Sequence, residues 1–227
     1  MLATTLFAGL GQADVQRIAA AAHHKRIESG ADYFLQGDAA DRIFLLEEGR
    51  VKLTQAAADG QQALMRVAAP GTLFGALALA KVEVYPVSAQ AAEDCLAAYW
   101  TPEELMAFVQ QLPELAINAM KIMAEHVQEF QDRYLQLATE RVERRLARTL
   151  IRLASQTGRK TDDGVLIDLA LTRQDLAEMS GTTLFTVSRI LNQWETQGLV
   201  AVGREKVVIV FPHGLVRIAE DLPVKKE

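Results

Sequence analysis

Apolar and polar positions change rhythm several times along this chain, and each rhythm predicts a different kind of element. Within residues 6–22, Leu10, Val15, Ile18 and Ala22 recur at helical spacing and predict a short amphipathic helix. From Lys25 to Trp100 the apolar runs shorten to YFLQ, RIFLLEEG, VKLTQ, ALMRVA and LAAYW, divided by Gly30, Gly37, Gly49, Gly60 and Gly71. Strands of a few residues punctuated by glycine turns predict an all-β sandwich or barrel. Ala58-Asp59-Gly60 is expected to turn a hairpin, because Asp-Gly readily supplies the positive φ of a tight turn.

A long helix follows. Between Pro113 and about Thr139 no further proline and no glycine interrupts the chain. Ala116, Met120, Met123, Val127, Phe130, Tyr134 and Leu137 are spaced alternately by four and three, the repeat of a heptad seam. Such a stripe can cover the helix's own domain or meet a second chain, and the unbroken alternation favours the two-chain seam. The next stretch, VERRLARTLIRLASQTG, predicts a helix with Val142, Leu146, Leu150 and Leu153 on one face and arginines elsewhere. GRKTDDG, residues 158–164, reads as a polar loop, and VLIDLALT as a strand after it.

Residues 171–200 carry the densest signals. Thr172 can cap a helix starting at Arg173, with Asp175 three residues on completing a capping box; that helix is expected to end near Met179. Ser180-Gly181-Thr182 is a tight turn suited to a left-handed glycine. Thr182 or Thr183 then caps a helix reaching Gln197, with Gly198 as its stop. Val187, Ile190, Leu191 and Trp194 form its buried stripe, packed on Leu176 and Met179. Thr183, Leu184, Phe185, Thr186, Ser188, Arg189 and Asn192 are left facing outward. Two short helices joined by a glycine turn form a helix-turn-helix, whose second helix enters the DNA major groove. LVAV and KVVIVF around Gly203-Arg204-Glu205 predict a hairpin wing that carries Lys206.

Composition alters this picture little. Half the residues are apolar and 23% are charged, as in a globular protein. No apolar run is long enough to span a bilayer, and the start lacks the basic region of a secretory signal; a cytoplasmic location is the expectation. The net charge of −5 is uneven: residues 1–138 hold 10 basic and 17 acidic side chains, residues 139–227 hold 14 and 12. An acidic body with a mildly basic tail fits a sensor joined to a DNA-contacting module. The single cysteine, Cys95, excludes an internal disulfide and a four-cysteine metal centre within one chain. It reads as a small buried hydrophobe, with a redox thiol as the alternative.

Taken in order, "IESGADYFLQGDAADRIFLLEEGRVKL" and "DGQQALMRVAAPGTLFG", the long helix, and "LTRQDLAEMSGTTLFTVSRIL" resemble the CRP/FNR superfamily of bacterial transcription regulators over nearly the whole chain. The resemblance implies an α+β architecture: a β-roll of the cyclic-nucleotide-binding type over 1–112, a dimerisation helix over 113–139, and a winged helix-turn-helix over 140–227. It implies a homodimer, double-stranded DNA and RNA polymerase as partners, and no membrane. By position, Thr172, Arg173 and Gln174 match the family's group that contacts the DNA backbone, and Arg189 its retained recognition arginine. Arg189 could chelate guanine or hold a phosphate.

Two regions depart from the family. Where better-known members carry a charged or polar pair, this chain has Leu184 and Phe185. These can contact only thymine methyls or sugars, so a target richer in A·T under this pair is expected. In the sensing pocket, members that bind cyclic nucleotides use a Phe-Gly-Glu turn and a later Arg-Ser-Ala. The matching positions are Phe74-Gly75-Ala76, followed by Leu77, and Val87-Ser88-Ala89; Phe130 and Gln131 stand where a hydroxyl pair meets the base. Both polar anchors are lost, so cyclic AMP and cyclic GMP are not expected to bind. No cofactor or metal is expected. Haem stays as an alternative through His23, His24, His126 or His213, which would make the protein a haem-based gas sensor. A regulatory module acting on protein rather than DNA is the other rival. An enzyme is not expected, since no glycine-rich nucleotide loop, metal-spaced histidine pair or nucleophile elbow is present. Glu47-Glu48 and Glu103-Glu104 are expected at the surface.

Overall fold

The computed structural model describes residues 4–58 and 62–222. Their contacts divide the chain into two units, residues 1–130 and 131–227. The expected Asp59-Gly60 turn lies outside the described residues.

The first unit opens with a single 3-10 turn at Thr5–Phe7 and helix α1, Gln12–Ala20. One helix over 6–22 was expected, but Gly9 (φ +80°) and the extended Gly11 separate the two pieces. Leu10 therefore lies outside α1, while Val15 and Ile18 are buried. Strands β1 (His23–Ile27), β2 (Asp32–Phe34), β3 (Ile43–Glu48), β4 (Val51–Ala56), β5 (Gln62–Ala68), β6 (Leu73–Phe74), β7 (Ser88–Ala91) and β8 (Cys95–Trp100) follow. They form two antiparallel four-stranded sheets, ordered β1-β8-β3-β6 and β2-β7-β4-β5.

The apolar run of β3 is explained by burial on both faces. Phe44 and Leu46 join Tyr33, Phe34, Val51, Phe74, Ala89 and Cys95 between the sheets. Ile43 and Leu45 point the other way, into a cluster with Leu6, Ile18, Trp100, Leu105 and Leu115. Three hydrogen bonds tie that second cluster down: the Trp100 indole donates to Ile18 O at 3.1 Å, and buried Asn118 donates to Leu6 O and Ala8 O at 3.0 and 2.8 Å. Helix α2 (Pro102–Gln111) was not expected. Its signal is local, a capping box in which Thr101 and Glu104 bond each other's backbone, with Pro102 in the first turn. Glu104 is thus a half-buried cap, and only Glu103 of that acidic pair is fully exposed; likewise Glu47 is half-buried and Glu48 exposed.

Helix α3 runs Pro113–Thr139, with the expected bounds, and leads from the first unit into the second. After it come α4 (Val142–Thr157), β9 (Gly158–Thr161), β10 (Gly164–Ile167), α5 (Arg173–Ser180), α6 (Leu184–Thr196), β11 (Val200–Gly203), β12 (Lys206–Ile209) and α7 (Pro212–Ala219). Leu146, Leu150 and Leu153 of α4 are fully buried, and Val142 is half-buried. The segment expected as a polar loop is instead a hairpin, β9 paired with β10 across Asp162-Asp163. β9 is an exposed edge strand, so GRKT carries no apolar alternation to betray it. The wing hairpin β11–β12 is likewise half of a larger sheet, ordered β11-β12-β10-β9. α7 was not anticipated; Leu215 and Ala219 are its buried residues.

Candidate nucleic-acid interface

The interface is assembled from caps outward. Thr172 Oγ1 accepts from Asp175 N–H at 3.0 Å, and Asp175 Oδ2 accepts from Thr172 N–H at 2.8 Å, so the capping box is complete. α5 ends on Gly181 at φ +60°, where an L side chain would be strained. Thr183 caps α6: its Oγ1 accepts from Thr186 N–H at 3.3 Å and bonds Thr186 Oγ1 at 3.0 Å. Gln197 closes the helix and Gly198 (φ +69°) turns the chain away.

Val187, Ile190, Leu191 and Trp194 are all buried, and Leu176 of α5 with them; Met179 is half-buried. With that stripe turned inward, the opposite row of α6 points to solvent. Phe185 is 84% exposed and Leu184 40%. Thr183, Arg189 and Asn192 are exposed, whereas Thr186 and Ser188 are half-buried because they flank the stripe. Arg189 has no hydrogen-bond or ion-pair partner among the described residues, which leaves its fork of donors free. Arg173 reaches from α5 to Asn192 Oδ1 at 3.4 Å, and the Gln174 amide bonds Glu178 at 3.0 Å. A cavity of about 260 Å³ separates the start of α5 from the wing turn, bordered by Thr172, Arg173, Arg204 and Lys206. Arg204 was not singled out from the sequence, although its place in the Gly203-Arg204-Glu205 turn was the available signal. Arg173, Arg204 and Lys206, against the one carboxylate of Glu205, leave this edge beside a helix N-terminus positively charged and suited to phosphate.

On α3 the seam faces outward. Met120, Met123, Val127, Phe130, Tyr134 and Leu137 are between 42% and 68% exposed, and Ala116 is half-buried, while Leu115 and Asn118 supply the helix's buried face. Together these side chains form a continuous exposed apolar row along one face of the helix.

In the roll, Phe74 is buried and stacks on Phe44 at a centroid distance of 5.0 Å. Gly75 takes φ +73° ahead of the short 3-10 segment holding Ala76 and Leu77. A side chain at Gly75 would meet Arg42 O and the Tyr85 ring at 3.0 and 3.3 Å. Val87 packs half-buried on the same cluster, Ala89 is buried within it, and Ser88 Oγ accepts from Gln36 N–H at 2.9 Å. Phe130 is exposed on α3, and Gln131 belongs to the second unit.

Three of the four histidines meet polar neighbours, and His213 lies edge-on to the Phe211 ring. His23 meets Glu104 at 3.0 Å, His24 meets Glu47 at 3.5 Å, and His126 Nε2 touches Arg66 Nη1. A guanidinium against the imidazole nitrogen is a poor setting for an iron ligand, so His126 does not fit a haem site. Among the described residues no three His, Cys, Asp or Glu side chains gather as a metal site. Cys95 is buried with its thiol donating to Arg50 O and Glu93 O at 3.2 Å, and burial raises its pKa above the usual thiol range. No helix among the described residues is long and apolar enough to cross a membrane.

A β-roll, a long helix with an open apolar row, and a winged helix-turn-helix with a solvent-facing second helix define a class: a two-module DNA-binding regulator. Comparison with known proteins agrees. A family model for the cyclic nucleotide-binding domain matches residues 24–112, and one for the Crp-like helix-turn-helix domain matches residues 144–218. The chain is 28% identical over 203 residues to the cyclic AMP receptor protein of Thermus thermophilus, covering 89% of this chain and 91% of that protein. It is 26% identical over 194 residues to the anaerobic regulatory protein of Bacillus subtilis, covering 85% and 82%. The solved structure of the c-di-GMP-responsive global regulator CLP of Xanthomonas campestris shares the fold, with a TM-score of 0.78 at 21% identity over 88% of this chain and 99% of that one. The chain belongs to the CRP/FNR superfamily of transcription regulators, and its C-terminal unit is the DNA-binding helix-turn-helix of that family.

Proposed function

We propose that the protein acts as a homodimer joined along α3, and that each subunit lays α6 in the major groove of one half of a two-fold-related DNA site. The division of labour follows the elements: residues 1–112 sense, 113–139 pair, and 140–227 read DNA. The observation that carries this reading is the outward row of α6, Phe185 and Arg189 with Thr183, Leu184 and Asn192, opposite its fully buried stripe. Arg189 supplies a bidentate donor for guanine, and Asn192, Thr186 and Ser188 add hydrogen-bonding capacity beside it. Thr172, Arg173, Gln174 and Lys206 hold phosphates at the start of α5 and on the wing.

The roll is not a cyclic AMP sensor. Among the matching positions of the roll, Phe74, Gly75, Ala76, Leu77, Val87, Ser88 and Ala89, there is no cation at Val87 and no carboxylate at Ala76. A buried cyclic phosphate beside Val87 would stand uncompensated, at a cost of several kcal/mol. The lining suits an apolar or weakly polar effector, without haem or metal. Such an effector works only by binding one of two arrangements of the dimer more tightly than the other. The role is binding rather than catalysis, carried out in the cytoplasm, with RNA polymerase as the protein partner on DNA.

The test is anisotropy with duplexes recovered by in vitro selection from a random pool. Nanomolar-range, salt-sensitive binding by a dimer to a two-fold-related site is expected. A monomer indifferent to duplex DNA at low ionic strength would overturn the proposal.

A further inference from the structure

The end of α3 and the turn of the helix-turn-helix meet on one side chain. Arg145, in the first turn of α4, donates from Nη1 to Glu140 O at 2.6 Å, from Nε to Ser180 O at 2.8 Å and from Nη2 to Gly181 O at 3.0 Å. Glu140 follows directly after α3, and Ser180 and Gly181 close α5. These are carbonyls at helix C-termini, where intrahelical donors run out and the helix dipole is negative. A planar cation with a fork of donors can serve all of them at once.

A second contact lies beside the first. Leu137, in the last turn of α3, fills the space that a Cβ on Gly181 would need. Thr183, the cap of α6, follows two residues later. The linker itself is strapped down from its other side: Glu140 is paired with Arg144 and Arg148 at 3.6 and 3.2 Å, and these reach Asp221 and Glu220 at 3.6 and 3.0 Å. Arg141, which caps α4, makes no side-chain cap bond. The joint between α3 and α4 is therefore held by side chains reaching across it rather than by its own cap.

We propose that Arg145 is a positioning residue for DNA binding: it pins the helix-turn-helix turn to the last turn of the dimerisation helix and so sets the half-site spacing that the dimer accepts. The inference rests on the dimeric DNA reading above. Its physical basis is geometric. Inserting one base pair between half-sites turns one of them by about 35° around the duplex axis. Two modules held rigidly to a common helix pair cannot follow that rotation, whereas loosely tethered modules can. When geometry forbids simultaneous engagement, the gain from bivalency disappears.

The experiment uses the full-length protein and its Arg145→Ala and Arg145→Lys variants, with binding measured to one half-site and to full sites whose spacer is optimal, one base pair longer or one shorter. The wild-type dimer is expected to lose about tenfold or more in Kd when the spacer changes by one base pair. Arg145→Ala is expected to remain dimeric and bind the single half-site as wild type does. It should weaken about tenfold on the optimal full site and discriminate spacers by no more than about twofold. Arg145→Lys keeps the charge but not the fork, and falls between the two; if the alanine variant does not fold, the lysine variant alone must show the narrowed discrimination. Wild-type discrimination retained by the variant that folds overturns the proposal, as does equal weakening on half-sites and on every full site. A wild-type protein that does not bind DNA as a dimer overturns the functional reading instead, and this inference with it.

Discussion

His126 of α3 turns its Nε2 onto the Arg66 guanidinium of β5. A neutral imidazole can accept from that cation; a protonated one would repel it. Glu125 and Glu129 on the same helix favour the charged form, but burial first and Arg66 second hold the His126 pKa below its ordinary value of 6.5. The unfolded chain therefore binds this proton at a higher pH than the folded one does. The associated stability is present above about pH 6.5 and is lost as the pH falls through the folded pKa. Thermal melts between about pH 8 and pH 5 are expected to show this acid-side loss in the wild type and less of it in His126→Gln. Parallel profiles for the two proteins would exclude the effect.

Phe185 and Arg189 stand one helical turn apart on the open row of α6, about 6 Å along its axis. That distance matches roughly two base-pair steps. Selected half-sites are expected to place a thymine methyl under Leu184 and Phe185 within about two steps of a guanine read by Arg189. Arg189→Ala should cost about 1–3 kcal/mol and relax that guanine, and Phe185→Glu should shift preference from thymine towards cytosine. Recovery of an unchanged consensus with the glutamate variant would refute the methyl contact.

Gly181 is required twice, by its φ of +60° and by the Leu137 side chain above it. Gly181→Ala is expected to destabilise the C-terminal unit by about 2 kcal/mol or more, part from the left-handed backbone and part from the clash. Adding Leu137→Ala should recover the steric part and leave the backbone part. A double-mutant cycle by chemical denaturation measures the two separately, and an additive result would remove the contact from the account.

The apolar row on α3 should be covered by a second chain. Phe130 is 61% exposed in the single chain, and covering what remains would give about 1–2 kcal/mol per subunit. Phe130→Asp is expected to yield monomers by light scattering at micromolar concentration while leaving the folded signal by circular dichroism. A dimer of undiminished strength would place the interface elsewhere.

Cyclic AMP titrated into the purified protein by calorimetry is expected to give no binding in the micromolar range. Heats that saturate at micromolar nucleotide would show that the roll supplies a cation other than one at position 87.

Local chemistry was legible from the sequence alone, because it acts over a few residues. Thr172, Asp175, Gly181, Thr183 and Gly198 mark the boundaries of α5 and α6 by capping and by positive φ, which neighbours along the chain impose. α3 was legible through its uninterrupted heptad spacing, and β3 through its apolar run. The Thr101-Pro102-Glu103-Glu104 signal that starts α2 is equally local. β1 and β9 were not legible: HHKRI and GRKT are polar edge strands held by pairing with distant β8 and β10, so no periodicity records them. β7, built of Ser, Ala and Gln, hides its buried Ala89 and Ala91 behind small side chains. In the interface, the outward row of α6 could be inferred by subtracting its buried stripe, whereas only tertiary packing brought Arg204 beside Thr172 and Arg173, or Arg145 onto the carbonyls of Ser180 and Gly181. Such contacts join residues tens of positions apart, and a distance in space leaves no period in a sequence.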